Sequence, residues 1–290
     1  MKPAAFQYHR PDSVAEALHL LDRHAPDAAL LAGGQSLGPM MNLRMARPGH
    51  VIDLNDLLEL DYLRTVPHGF EIGAMTRHHR LATGPEVRRS VPVLAAAAGS
   101  IGHYAIRQRG TIGGSLVQAD PAAQIPLLAV TLDATVTVSS SRGTRTVPAR
   151  DFIRFAMDVD LDGREMVTAI TFPTAEQPLC WAYDAFCRRR GDYAMASIAL
   201  VFRCDAGGAV RGLRIGVGGV GSLPQRLDDL EAEAEGARAS ADWALALAPR
   251  VAAVVEAEDD RRGSETYRRE LVQTLAARAL SRALAAQEVA

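Results

Sequence analysis

The chain has 290 residues, 48% apolar and 23% charged, a mixture that suits a globular protein of about two domains and excludes a disordered or fibrous one. A formal net charge of −2 offers no basic field to nucleic acid, and no run of about 18 apolar residues is present to span a membrane. Lys2 is the one lysine among 32 basic residues, so neither an interior Schiff-base lysine nor a G-x-x-x-x-G-K-[ST] phosphate loop is available.

Residues 1–6 carry no signal-peptide apolar stretch, and the cytoplasm is the expected compartment. Ser13 suits the cap of a helix whose apolar stripe is Val14, Ala17, Leu18 and Leu21. Residues 28–32 form a short apolar run, predicted as a buried strand, and Gly33-Gly34-Gln35-Ser36 follows it directly. A short helix is expected within 37–47 and a strand at 51–54, so the first 55 residues suggest a small parallel β-α-β-loop-β unit. Further strands are predicted at 70–73 and 166–172, the latter closed by Pro173. Residues 92–101 and the stretch after Pro121 to 130 look helical, with a polar, glycine-rich loop at 109–115 between them. Residues 134–138 alternate β-branched side chains, turn at Ser141-Arg142-Gly143 and return at 145–147 as a hairpin. The Pro/Gln/Glu stretch 173–178 reads as a domain boundary. Strands at 195–204 and 210–217 come next, and from Leu227 the chain is helical, its last helix starting near Ser264 with Tyr267, Leu271, Leu275 and Ala279 on one face.

Three cysteines (Cys180, Cys187, Cys204) are too few for a disulfide framework or a four-thiolate iron–sulfur site, and they read as small half-buried hydrophobes. All eight histidines lie at or before His103 without metal-ligand spacing, so no intrinsic metal site is expected.

Two glycine-rich segments carry the chemical signal. Leu31-Ala32-Gly33-Gly34-Gln35-Ser36-Leu37 follows a strand, and Arg109-Gly110-Thr111-Ile112-Gly113-Gly114-Ser115 repeats the adjacent glycines and the hydroxyl. Paired glycines let backbone amides converge without Cβ obstruction, so each segment suits an anion nest and the two together suit a pyrophosphate; each alone also fits a plain tight turn. Gly216-Val217-Gly218-Gly219-Val220-Gly221 satisfies G-x-G-x-x-G, but a dinucleotide fold needs a helix there, and Pro224 and the antiparallel context argue against one.

The pair Ala32-Gly33-Gly34-Gln35-Ser36 and Thr111-Ile112-Gly113-Gly114-Ser115, about 80 residues apart, resembles the FAD-binding medium subunit of molybdenum hydroxylases of the carbon monoxide dehydrogenase and xanthine dehydrogenase type. Ala119-Asp120-Pro121, Arg188-Arg189-Arg190-Gly191-Asp192-Tyr193-Ala194, Gly218-Gly219-Val220 and Tyr267-Arg268-Arg269 match in register, and the resemblance covers the chain from about residue 3 to about residue 285. It implies an α+β fold: a vanillyl-alcohol-oxidase-type (PCMH) FAD-binding domain at 1–175, in lobes of about 1–55 and 56–175, and a C-terminal domain at 176–290 with an antiparallel sheet and helices. It also implies cofactor contacts at Leu31, Ala32, Gly33, Gly34, Gln35, Ser36 and Leu37, at Thr111, Ile112, Gly113, Gly114 and Ser115, and at Ile101, Asp120, Gln124, Val167, Cys187 and Tyr193. Gln35 replaces a histidine common among relatives, and with no histidine in either loop a histidyl-flavin tether there is excluded. Ser115 stands where Asn or Ala is common, Gln124 at a usually acidic position and Cys187 at one often occupied by Lys.

The resemblance further implies an oxidoreductase subunit with non-covalent FAD and no acid–base catalyst of its own. Its partners would be a large molybdopterin-binding subunit and a small subunit with two [2Fe–2S] clusters, in an (αβγ)2 heterohexamer. Electrons would enter from the clusters and leave to an external acceptor. Two other classes compete: a stand-alone flavin-dependent oxidoreductase, disfavoured because no histidine after residue 103 is left to serve as a base, and a nucleotide-binding scaffold, disfavoured by the two complete glycine loops.

Overall fold

The computed structural model describes residues 2–174 and 179–287. The first lobe is a parallel three-stranded sheet: β1 (Gln7–His9) and β2 (Ala28–Leu31) flank β3 (His50–Asp53), with α1 (Val14–His24) and α2 (Leu37–Asn42) in the connections. Ser13 caps α1, its hydroxyl accepting from Glu16 N at 3.2 Å, and Ala17, Leu18 and Leu21 bury the stripe against Ile52, Leu54 and Leu60.

The second lobe is a five-stranded sheet in the order β4 (Leu63–Val66), β5 (Gly69–Gly73), β10 (Met166–Phe172), β6 (Thr135–Ser140), β7 (Gly143–Pro148), with the small β8 (Ile153–Phe155)/β9 (Asp158–Val159) hairpin apart from it. The helices α3 (His78–Thr83), α4 (Pro85–Ser90), α5 (Pro92–Ser100), α6 (Tyr104–Arg109), α7 (Ile112–Gln118), α8 (Gln124–Thr131) and α9 (Ala149–Phe152) run through this lobe. Four of those seven (α3, α4, α6 and α9) have six residues or fewer, too short to show a 3.6-residue period, which is why the sequence reading missed them.

The third unit is the antiparallel sheet β11 (Cys180–Phe186), β12 (Ala196–Cys204), β13 (Val210–Gly218), β14 (Gln225–Arg226), with α10 (Asp228–Ala234), α11 (Ala241–Val254) and α12 (Glu265–Gln287). β12 is buried on both faces: Ile198, Leu200 and Phe202 join the core under α11 and α12, while Ala199 and Val201 join the core of the second lobe. That two-sided burial explains an apolar run without polar alternation. β11 escaped the sequence reading because Ala and Asp interrupt its β-prone residues. In the fold, Asp184 of this strand pairs with Arg278 and Arg282 of α12 at 3.1 and 2.5 Å.

The third glycine cluster is a packing surface. A Cβ on Gly216 would lie 1.7 Å from Thr131 Oγ1, and one on Gly218 3.4 Å from Leu127 Cδ2, so the glycines let α8 lie against β13. Gly219 N donates to Pro121 O at 2.8 Å. The buried Arg268 of α12 donates to Met195 O at 2.8 Å and to Gly219 O, and pairs with Asp260 at 2.6 Å. Arg226 adds a bridge from this unit to the second lobe, meeting Glu231 at 2.8 Å and Asp133 at 2.5 Å. Of the stretch 173–178 read as a boundary, residues 175–178 lie outside the described residues. No described helix is long and apolar enough to cross a membrane.

Candidate functional site

A cleft of about 480 Å³ opens between the first two lobes and under the β11–β12 loop, within the size range of small-molecule sites. The first glycine segment forms one wall. β2 ends at Leu31, Gly34 turns the chain with φ +69°, and α2 starts at Leu37. The amides of residues 33–37 donate to no atom of the chain among the described hydrogen bonds, and the Gln35 side chain folds back to Gly33 O at 2.8 Å. Five successive unspent amides beside a cleft form a cradle for anionic oxygens.

The second segment differs from the sequence reading. The predicted loop 109–115 is instead a turn running into the first turn of α7, and its amides from Ile112 to Ser115 are already engaged, while that of Thr111 donates to no atom among the described hydrogen bonds. Ile112 N donates to Thr76 O at 3.0 Å, Gly113 N to Ala74 O at 2.9 Å and Ser115 N to Thr111 O at 3.0 Å. Gly114 N donates at 3.1 Å to Thr111 Oγ1, a hydroxyl that can rotate away in favour of a ligand oxygen. The two segments are therefore not equivalent nests. What the second brings to the cleft wall is Gly110, Thr111, Gly113, Gly114 and Ser115, glycine backbone with two hydroxyl residues.

The two segments touch. A Cβ on Gly33 would lie 2.1 Å from Arg109 O, and one on Gly114 3.7 Å from Ala32 Cβ. A polar clamp ties them together: Asn55 Nδ2 donates to Ala32 O at 3.0 Å, Arg77 Nη2 to Asn55 Oδ1 at 2.7 Å and Arg77 Nη1 to Arg109 O at 2.5 Å. His78, 5% exposed, donates from Nε2 to Thr111 O at 2.9 Å, and its buried Nδ1 has no hydrogen-bond partner among the described residues. Burial pushes its imidazole down to about 4, so it is neutral at pH 7.

Of the predicted positions, Ala32, Gly33, Gly34, Gln35, Ser36, Leu37, Ile101, Thr111, Gly113, Gly114, Ser115, Asp120, Gln124, Val167 and Tyr193 line this cleft. Leu31, Ile112 and Cys187 are absent from its wall. Ile112 faces the core of the second lobe with no exposed surface, and Leu31 belongs to β2. Cys187 is a free half-buried thiol, held protonated by burial and by the nearby Asp192. Tyr193, 54% exposed, sits where the β11–β12 loop overhangs the cleft, its carbonyl held by Arg262 at 2.5 Å. Burial and Asp120 raise its phenol. Gln124 reaches Ser100 Oγ at 3.5 Å. Sequence reasoning missed Asn55, Arg77 and His78, because their partners lie 22 to 33 residues away with no motif linking them.

A family model described as "FAD binding domain in molybdopterin dehydrogenase" matches residues 4–175, and one described as "CO dehydrogenase flavoprotein C-terminal domain" matches residues 181–283. The chain belongs to the molybdenum hydroxylase family, as its FAD-binding medium subunit. The glyceraldehyde dehydrogenase medium chain of Sulfolobus acidocaldarius is 37% identical over 96% of this chain and 98% of its own length. Carbon monoxide dehydrogenase from Hydrogenophaga pseudoflava, solved lacking the Mo-pyranopterin moiety of its cofactor, superposes with a TM-score of 0.92 at 37% identity, covering 98% of this chain and 99% of that one. Quinoline 2-oxidoreductase from Pseudomonas putida 86 superposes equally well, at TM-score 0.92 and 33% identity, over 99% of both chains. The α+β architecture and the assignment as an oxidoreductase subunit thus agree with the resemblance read in the sequence.

The residues present fit the flavin nucleotide this family carries. The unspent amides of 33–37 suit phosphate oxygens, the bare glycine backbone opposite leaves room for them, and apolar side chains such as Ile101, Val117, Met166 and Val167 suit ring systems.

Proposed function

We propose that this chain holds FAD non-covalently in the cleft, with the diphosphate against 32–37 and 111–115, and serves as the electron outlet of a three-subunit molybdenum hydroxylase. The observation that carries the proposal is the row of unspent amides at 33–37 in the wall of a cleft that the second glycine segment also lines. The amides of 33–37 are the main phosphate donors, with the hydroxyls of Thr111 and Ser115 opposite. Ile101, Val167 and Tyr193 position the ring systems, and Asp120 and Gln124 supply polar edges. FAD, when bound, converts single electrons from two [2Fe–2S] clusters on a small partner subunit into pairs delivered to an external acceptor. Substrate oxidation then belongs to a large molybdenum–pterin subunit, in an (αβγ)2 assembly. In this reading residues 1–175 are the FAD-binding domain in two lobes, divided near residue 55, and 176–290 the C-terminal domain.

The medium-chain relatives, matched over nearly their full length, support the multi-subunit reading. Size exclusion with native mass spectrometry on the complex from its native host tests it. A heterohexamer containing all three chain types, whose flavin is reduced by substrate, is the expected result. A lone chain or homodimer that turns over a substrate overturns it in favour of a stand-alone flavin oxidoreductase. Acid precipitation is expected to release all the flavin into solution, and flavin retained on the denatured chain refutes the non-covalent attachment.

A further inference from the structure

Three histidines that share no sequence spacing meet in the first lobe, where the sequence reading expected no metal site. His9 ends β1, His24 is the last residue of α1 and His50 opens β3. The parallel pairing of β1 with β3 sets His9 and His50 on neighbouring strands, and the end of α1 brings His24 beside them. The rings form a stack, with centroids 3.8 Å apart for His24 and His50, 5.1 Å for His9 and His24, and 5.2 Å for His9 and His50. His9 Nε2 and His50 Nδ1 are 2.9 Å apart, and one ligand nitrogen from each of the three rings lies within 4.8 Å of the others. All three side chains are half-buried, so solvent reaches the site while the backbone holds it.

From this geometry we infer that His9, His24 and His50 bind a late first-row divalent cation, Zn²⁺ being the representative ion. An ion with Zn–N distances of about 2.0–2.1 Å and tetrahedral angles needs nitrogens roughly 3.3 Å apart. The 2.9 Å between His9 Nε2 and His50 Nδ1 is slightly shorter than that value, and one nitrogen of each ring lies within 4.8 Å of the others. The near-parallel rings, 18° to 27° between planes, cannot all point at one ion as they stand, so binding turns at least one ring about χ2, a soft torsion in histidine. Imidazole nitrogen selects Zn²⁺, Ni²⁺ or Cu²⁺ over Mg²⁺ and Ca²⁺, which prefer oxygen. Three protein ligands leave a fourth position for water or a solute. The bound ion pins the end of α1 to two strands of the first-lobe sheet, a structural role independent of the electron path.

The test uses the tag-free, FAD-loaded chain at about pH 7.5, above the ordinary imidazole pKa. Calorimetric titration with ZnCl2 is expected to show one saturable site per chain, absent with MgCl2, and a higher melting temperature. His24→Gln is expected to weaken the site by roughly 100-fold or more, since even outer-shell partners cost 10–100-fold. A second readout needs no variant: Zn²⁺ is expected to protect His9, His24 and His50, but not the exposed His68, from an imidazole-acylating reagent read by peptide mass spectrometry. Lack of a one-to-one binding step, affinity unchanged in His24→Gln, or uniform acylation with and without Zn²⁺ would each overturn the site.

Discussion

Gly33-Gly34 and Gly113-Gly114 line the same cleft on two segments that touch, and each pair is glycine for a different reason. Gly33 is pressed onto the Arg109 carbonyl and Gly34 takes a left-handed φ of +69°, so this segment turns sharply and leaves its amides free. Gly113 packs on Ala74, where a Cβ would lie 2.7 Å from the alanine Cβ, and its amide is spent on the Ala74 carbonyl. One segment is a donor cradle and the other a thin wall whose amides from Ile112 to Ser115 are already satisfied. A glycine pair therefore signals a close approach, and only the hydrogen-bond accounting says whether that approach is to a ligand or to the protein's own backbone.

The sharpest way to break this contrast is Gly33→Val. The atom its Cβ meets is backbone oxygen and cannot rotate aside, so the two segments are forced apart. FAD affinity is expected to fall by a factor of 100 or more, about 3 kcal/mol, in a fluorescence titration of the apoprotein. Unchanged affinity removes the first segment from the phosphate site.

Gly216→Ala probes the glycine cluster assigned to packing alone. Its Cβ would overlap Thr131 Oγ1 on the buried side of α8, and about 1–3 kcal/mol of stability is expected to be lost in denaturant melts, with FAD affinity per folded molecule changing less than threefold. A large loss of affinity without loss of stability would make this cluster part of the site.

Thr111→Val separates cap from cradle. Removing the hydroxyl strips Gly114 N of its acceptor at the start of α7 and is expected to cost about 1 kcal/mol of stability. The matching Ser36→Ala is expected to cost less, because Ser36 makes no side-chain cap bond to α2. Equal destabilisation by the two would erase the asymmetry.

The smallest effect at neutral pH comes from His78, which braces the second segment only. Its folded pKa of about 4 lies below the ordinary 6.5, so the unfolded chain takes up the proton first as pH falls. The His78 contribution is expected to leave stability unchanged above about pH 6.5, to lower it by about 1 kcal/mol near pH 5.5, and to lower it further towards pH 4. In His78→Gln this part of the pH profile is expected to flatten in thermal melts. An unaltered profile would show that His78 is not the group that titrates.

Patterns local in the chain were legible without the fold. The cap and stripe of α1, the hairpin at 135–148, the strand Met166–Phe172 and the long apolar β12 follow from capping chemistry, period-2 or period-3.6 alternation and burial of apolar runs, which involve neighbours a few residues apart. The two glycine motifs and the family were legible for the same reason, since each motif is a contiguous run. Tertiary structure alone decided which amides were already spent: Ile112 and Gly113 give theirs to carbonyls 36 and 39 residues earlier. It alone assembled the Asn55–Arg77 clamp, turned the G-x-G-x-x-G run into a seat for α8, and brought His9, His24 and His50 together. Hydrogen bonds, van der Waals overlap and shared ligand positions act over a few ångströms of space, and residues separated by tens of positions come that close only once the sheets and helices have packed.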